Sequence, residues 1–307
     1  MDVSQATARF DQVAQLLPGH LRQRVQALPQ EKRARAEELR LRRGRSLFVL
    51  TPQGEEALAD TLVTAQDLET VLELASASSV HTVMEQIKHG FVGVRGGHRL
   101  GLCGTGVVEN GKLVNLRELS SLSLRVAREF KGLCREVLLK LWGEHGLENT
   151  LILSPPGGGK TTLLRDLIRA ISAGDRCPAR RVGVADERGE LAAVSGGVPT
   201  LDIGPRSDVM SGCPKDIGLM TLLRGMNPQV LAVDEITAPE DVAAMTQAAG
   251  CGVTLLATAH GGTLRDLDRR PLYRELMAQG VFGRLVVIRG TGDERRYTVT
   301  DGEGRPC

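Results

Sequence analysis

The run Leu151-Ile-Leu-Ser154-Pro155-Pro156-Gly157-Gly158-Gly159-Lys160-Thr161-Thr162-Leu-Leu164 sets how the rest of the chain is read. A short apolar run enters a glycine loop, Lys-Thr follows, and an amphipathic segment continues to Ile171, which reads as strand, phosphate loop and helix. Polyphosphate needs many donors at close range. Gly157, Gly158 and Gly159 free the backbone for that purpose, and the start of the helix adds its partial positive charge. Pro155 and Pro156 carry no N–H and only shape the loop, which Ser154 opens and Thr162 closes. Lys160 is expected to reach the β- and γ-phosphates as a point charge, and the Thr161 hydroxyl to sit on Mg²⁺. The usual pattern begins with glycine six residues before the lysine, and Ser154 stands there instead.

The chain has 307 residues, 41% hydrophobic and 25% charged, with a formal net charge of +2. That is the profile of about two ordinary domains, and near-neutral charge argues against a nucleic-acid coat. The six cysteines show no C-x-x-C spacing, so neither a disulfide framework nor a zinc site is expected, and a reducing cytoplasm fits. No amino-terminal signal is present and no apolar run approaches the ~18 residues that span a bilayer. A membrane role is therefore expected to come through a partner.

Helical spacing runs over residues 4–17 and 20–28, with Pro18-Gly19 and Pro29 as punctuation. From Glu31 a helix is predicted to pass into a strand in which Leu39 and Leu41 alternate with Arg40 and Arg42, then a turn at Gly44 and a strand over 46–50. The arginines offer either a phosphate surface or a solvated, edge-protecting strand face, and the interleaved Glu31, Glu37 and Glu38 favour the second. Thr64-Ala-Gln-Asp67 reads as a capping box before a helix, and a further helix is expected from Val80 to Lys88, ended by Gly90. Glycine then recurs among short β-type runs from Phe91 to Leu116, with a hairpin turn at Asn110-Gly111. Gly93-Val-Arg-Gly96 has the G-x-x-G form of a KH-domain clamp, which turn chemistry explains as well. Residues 120–128 alternate like a strand, and Phe130 to Trp142 is predicted to be a helix. The boundary is placed near residue 130, giving domains 1–130 and 131–307.

Two later strands end in acids: Arg181-Val-Gly-Val-Ala-Asp186-Glu187-Arg-Gly-Glu190 and Val230-Leu-Ala-Val-Asp234-Glu235. Both should deliver carboxylates to the carboxyl edge of a parallel sheet, where open α/β folds bind ligands. Asp234-Glu235 ends the more uniformly apolar strand and is the better pair for an outer-shell Mg²⁺ contact, made by Asp234 through water, and for polarising an attacking water. Capping of the helix that starts at Pro239 is the plainer alternative. A fourth run, Val253 to Thr258, leads to His260, so Thr258 and His260 are candidates to sense the γ-phosphate. A structural histidine fits the sequence equally. Phosphoryl transfer usually recruits an arginine as well. Arg206, in a Pro/Gly loop, and Arg224, ahead of the second acidic strand, are the candidates, with pairing to Asp202, Asp208 or Asp216 as the alternative. A closing hairpin is expected from Leu285-Val-Val-Ile and Arg296-Tyr-Thr-Val around 290–293.

Leu223-Arg224-Gly-Met-Asn-Pro228-Gln-Val-Leu-Ala-Val-Asp234-Glu235-Ile, with Ala248-Ala-Gly-Cys-Gly and Ala257-Thr-Ala-His260, is similar to the type II/type IV secretion and pilus ATPases, and Asp186-Glu-Arg-Gly-Glu190-Leu resembles their Asp box. With His98-Arg-Leu-Gly and Ser120-Ser-Leu-Ser-Leu-Arg-Val-Ala-Arg128, nearly the whole chain resembles the stage III sporulation protein AA family. The resemblance implies an α/β fold, a RecA-like P-loop ATPase domain preceded by a smaller α+β docking or regulatory domain. It implies a cytoplasmic, ring-forming homo-oligomer, a hexamer, that hydrolyses ATP with Mg²⁺. That turnover would power transport through, or assembly of, a channel between mother cell and forespore. The protein would stay on the mother-cell side, held at the membrane by the cytosolic part of a membrane protein. Catalytic roles carry over to Lys160, Thr161, Asp234 and Glu235, and with less support to Glu190 and His260. Asp234 stands where many secretion ATPases have glycine, and the amino-terminal module is unlike their usual one. The alternative is a nucleic-acid-dependent ATPase using the G-x-x-G module. An aromatic content of 3% argues against it, since single strands are generally held by stacking on aromatic rings, and nucleic acid is not expected as a partner.

Overall fold

A computed structural model describes residues 3–76, 91–263, 266–267, 269–290 and 294–307. Its internal contacts divide the chain into two units, Met1–Glu129 and Phe130–Cys307.

The first unit opens with α1 (Val3–Ala14), α2 (Gly19–Gln26) and α3 (Gln30–Arg35), each of the last two begun by a proline. Strands β1 (Glu38–Arg42), β2 (Ser46–Thr51) and β3 (Gly54–Leu62) precede α4 (Ala65–Ala75). The Thr64 hydroxyl accepts from Asp67 N at 3.1 Å while Thr64 N donates to the Asp67 carboxylate at 2.8 Å, the reciprocal cap expected from the sequence. Strands β4 (Phe91–Val94), β5 (His98–Glu109) and β6 (Lys112–Arg125) complete an antiparallel sheet of order β3-β2-β1-β6-β5-β4. Alternation decides its faces: Leu39 and Leu41 of β1 point into a core with Phe10, Val13, Leu17 and Leu68, each contributing roughly 1.5–3 kcal/mol on burial. On the other face Arg40 pairs with the buried Glu38 and Arg42 with Glu55. Asn110 and Gly111 turn the β5–β6 hairpin with φ of 51° and 74°. Gly93 lies in β4 and Gly96 in the turn to β5, where Arg9 donates to its carbonyl. The helix expected from Val80 to Lys88 lies outside the described residues.

Two expectations change. β3 was not anticipated, because it is an exposed edge strand with no apolar period for sequence to show. The helix predicted over 130–142 is cut to α5 (Arg135–Leu138) and one 3₁₀ turn over Leu139–Leu141. Gly132 sits at φ +84° before it, and Trp142 already belongs to β7 (Trp142–Gly143), which pairs with β8 (Gly146–Leu147).

The second unit is built on a seven-stranded sheet. Its strands are β9 (Thr150–Ser154), β10 (Val182–Asp186), β13 (Ser207–Ser211), β14 (Val230–Val233), β15 (Thr254–His260), β16 (Arg284–Arg289) and β17 (Arg296–Asp301), with the two-residue strands β11 (Val194–Ser195) and β12 (Val198–Pro199) set apart. The order is β13-β10-β14-β15-β9-β16-β17, parallel except for β17. Helices α6 (Lys160–Ala173), α7 (Lys215–Gly225), α8 (Pro239–Gly250) and α9 (Pro271–Ala278) join the strands. β9, β10 and β14 are buried along their whole length, as strands covered on both faces must be, and two apolar cores result. β15 lies between the phosphate-loop strand and the Asp234 strand, so its end is placed between lysine and carboxylate. The closing hairpin is β16 and β17, and residues 291–293 of its expected turn lie outside the described residues. Among the described residues no helix is long and apolar enough to cross a membrane.

Candidate active site

The loop between β9 and α6 begins without a left-handed residue at Ser154, which is why serine is tolerated there. Its hydroxyl donates to Pro155 O at 2.9 Å and lies beneath Gly158, where a Cβ would meet Ser154 Oγ at 2.5 Å. Gly157 and Gly159 have φ of +74° and +98°, which side chains rarely adopt. Pro156 is exposed, and Thr162 stands half-buried in the first turn of α6. The helix therefore starts from a glycine cradle with its free N–H groups presented to an anion.

Around that cradle the side chains form one connected network. Thr161 Oγ1 donates to Asp234 Oδ2 at 2.7 Å, and Thr258 Oγ1 donates to Asp234 Oδ1 at 2.6 Å. Glu235 N in turn donates to Thr258 Oγ1 at 2.8 Å. Lys160, buried, places Nζ 2.9 Å from His260 Nδ1, and His260 Nε2 lies 2.9 Å from Glu235 Oε1. Those partners fix the histidine's roles: Nδ1 accepts from the ammonium and Nε2–H donates to the carboxylate. Burial pushes the Lys160 pKa down, against the opposing pull of Asp234, Glu235 and Glu190. Glu235 stands at φ +55°, a conformation that costs a non-glycine residue on the order of 1–3 kcal/mol. It is held there by Thr258 and by Lys215, whose Nζ donates to Glu235 O at 2.9 Å.

The other acidic strand behaves differently. Asp186 is 2% exposed, and its carboxylate accepts from the backbone N–H of Glu190, Leu191 and Ala192 at 2.8–3.1 Å. It closes the turn after β10. Glu190 reaches the same cleft as Asp234 and Glu235, and Arg188 comes within 3.4 Å of Glu235. Capping of α8 is carried by Asp241, which accepts from Thr237 N and Ala238 N, so Asp234 and Glu235 are not spent on it. The structure brings Lys160, Thr161, Asp234, Glu235, Glu190 and His260 together and leaves two residues out. Arg206 precedes β13 and donates to Ser172 O at the far end of α6, and Arg224 is exposed in the last turn of α7, ahead of β14. Both sit by the amino ends of parallel strands, across the sheet from the loop. Neither Arg188 nor Lys215 was picked out from sequence. Arg188 stands inside the quoted acidic motif and was legible by position, whereas Lys215 is placed only by its contacts to Glu187, Thr237 and Asp241.

Among the described residues no group of three or more His, Cys, Asp and Glu forms a metal cage of protein ligands alone. A Thr161 hydroxyl beside the Asp234 carboxylate is nonetheless an all-oxygen donor pair of the kind that suits Mg²⁺ shared with phosphates.

The family described as "Sporulation stage III, protein AA" matches residues 7–301. Stage III sporulation protein AA of Bacillus subtilis (strain 168) is 36% identical over 298 residues, 96% of each chain. Among solved structures, the Legionella pneumophila ATPase DotB superposes with a TM-score of 0.57 at 16% identity, covering 88% of this chain and 78% of that one. The pilus retraction motor PilT, solved with bound ADP, gives 0.57 at 20% identity, covering 86% and 78%. The fold is thus that of a RecA-like P-loop ATPase domain with a smaller α+β amino-terminal domain.

Proposed function

This chain belongs to the sporulation stage III protein AA family, and from that premise we propose that it is a ring-forming ATPase, a hexamer. In this reading ATP and Mg²⁺ bind at the phosphate loop. Turnover powers transport through, or assembly of, a channel complex between mother cell and forespore. The protein acts in the cytoplasm of the mother cell and is held at the membrane by the cytosolic part of a membrane protein of that complex.

The supporting observation is the unbroken path Thr161–Asp234–Thr258–Glu235–His260–Lys160, all at 2.6–2.9 Å. Thr258 ties Asp234 to Glu235, and the other members each have a task in hydrolysis. Backbone N–H groups of residues 157–161 and Lys160 would hold the polyphosphate, and Thr161, with Asp234 through water, would hold Mg²⁺, which would supply charge neutralisation on the phosphate oxygens. Glu235 accepts the proton of the attacking water, and its strained backbone aims the carboxylate. A triphosphate draws Lys160 away from His260 Nδ1, leaving His260 to orient Glu235 and sense the γ-position. Glu190 lines the same cleft as a second acid. The transition-state arginine in this reading is Arg206 or Arg224 of a neighbouring subunit, since both stand across the sheet from their own loop.

Steady-state turnover, ADP and ATP binding, and sedimentation with and without ATP test the reading on the wild type and on Lys160→Ala. The expected outcome is ATP-dependent assembly and hydrolysis in the wild type, with binding and turnover lost in a folded variant. Near-normal hydrolysis by Lys160→Ala removes the reading.

A further inference from the structure

β9 has β15 on one side and β16 on the other. Lys160, Asp234, Glu235 and His260 all gather toward the β15 side. On the β16 side a residue outside every quoted motif meets the loop. Arg289 of β16 pairs with Arg296 of β17, so Arg295 belongs to the connection at the carboxyl edge of the sheet, beside the phosphate loop. Its guanidinium lies against Gly159: a Cβ on that glycine would stand 3.1 Å from Arg295 Cζ, 3.2 Å from Nε and 3.4 Å from Nη1. Gly159 is therefore constrained twice, by a φ of +98° and by this approach. Arg295 Nε is buried and meets no acceptor among the described residues. A buried guanidinium donor without an acceptor is unusual, because leaving it unmade costs more than an ordinary hydrogen bond gains. The group nearest to hand is the cradle built for an anion.

We propose that Arg295 is a nucleotide-binding residue acting within its own chain, which clasps the α-phosphate and nucleoside end of the bound nucleotide from the β16–β17 turn. The assignment of end follows from the side of the strand. The γ-phosphate groups occupy the β15 flank of the loop, so the remainder of the nucleotide leaves over the flank where Arg295 stands. Arginine suits the place, being always charged and presenting its N–H groups as a fixed fork that matches phosphate oxygens. A contact at this end is made equally by ATP and ADP and does not change as the γ-phosphoryl group departs, so it contributes to affinity and not to the chemical step.

This inference rests on the ATPase reading of the loop, and the experiment separates the two. ADP and ATP dissociation constants, kcat and thermal midpoints are measured on the full chain for wild type, Lys160→Ala, Arg295→Ala and Arg295→Met, the last keeping an unbranched stem against Gly159. Both Arg295 variants should weaken ADP and ATP alike by roughly 10- to 100-fold, the worth of a hydrogen bond to a charged group, with kcat within about twofold of wild type. A kcat loss with ADP affinity intact would place Arg295 on the transferring phosphate and overturn the proposal. Wild-type affinities in a folded Arg295→Met overturn it too, reducing the arginine to packing, while the loss of binding in Lys160→Ala leaves the ATPase reading standing. A folded wild type that binds neither nucleotide removes both.

Discussion

Thr258 is fully buried where its hydroxyl ties the Asp234 carboxylate to the Glu235 backbone. Valine there keeps the branched shape and removes a single hydroxyl. Asp234 Oδ1 then loses a donor at 2.6 Å and Glu235 N loses its acceptor at 2.8 Å. A hydrogen bond to a charged group is worth about 1.5–3 kcal/mol and an orphaned buried donor costs about 1–3 kcal/mol, and the two overlap in one network, so a destabilisation of about 3–5 kcal/mol is expected. At roughly 2–4 °C per kcal/mol for a domain of this size, the thermal midpoint should fall by about 10 °C. The chain's one tryptophan, Trp142, packs against the core of the second unit, so its fluorescence reports the unfolding of that unit directly. Turnover should fall roughly 10²-fold, since Glu235 loses the tie that holds its strained backbone and misplaces the base. Thr258→Ser keeps the hydroxyl and should lose only about 1 kcal/mol for the methyl. If Thr258→Val melts within about 1 °C of wild type, or turns over normally, the hydroxyl does not organise the pair and the reasoning fails.

Glu235→Gln should bind ATP with Mg²⁺ yet hydrolyse it slowly and accumulate a nucleotide-loaded state. Normal turnover in that variant, with loss in Glu190→Gln, would move the base to Glu190. Arg206→Ala and Arg224→Ala should keep ATP affinity, and whichever one reaches a neighbour should lose turnover and regain part of it on mixing with Lys160→Ala subunits. Absence of rescue, with subunit exchange shown, excludes the role across the interface. His98 supplies a pH test in the first unit: buried, accepting from Ala127 N at 3.0 Å, its pKa is lowered from 6.5 to about 4 by desolvation and by Arg9. The folded state therefore keeps it neutral while the unfolded chain binds a proton below about pH 6.5. Stability from this group is complete above pH 6.5 and is lost as pH falls toward 4, by about 3 kcal/mol in all. Denaturant midpoints between pH 4.5 and 7 should slope accordingly, and His98→Gln should flatten the slope; an unchanged slope assigns the pH dependence elsewhere.

The phosphate loop was legible because positive φ and close approach admit so few residues that Gly157 and Gly159 announce themselves. The acidic strands were legible because apolar runs that end in Asp-Glu have few other uses, and the choice between them followed from the more uniform strand, Val230–Val233. Legibility ended where position depends on distant partners. Lys215 follows a proline at a helix start and looks ordinary until Glu187, Thr237 and Asp241 converge on it. Arg295 lies 135 residues beyond the lysine of the loop and reaches it only because β16 docks beside β9. The helix expected over 130–142 failed for the opposite reason: its apolar spacing suited a helix, and Gly132 with the β7–β8 pair set shorter limits.

β14 and β9 each pair with β15 and not with each other. The backbones of the strands that carry Asp234 and the phosphate loop are thereby held two strand spacings apart, about 9.6 Å, by backbone hydrogen bonds in which no catalytic side chain takes part. Width and reactivity are consequently separate inheritances. A chain that loses its lysine or its base retains a cleft of native breadth and the outer surface that goes with it. In the ring proposed above, such a chain would take its seat among working copies and stall them, so that inactive alleles of this protein are expected to be dominant over the functional one.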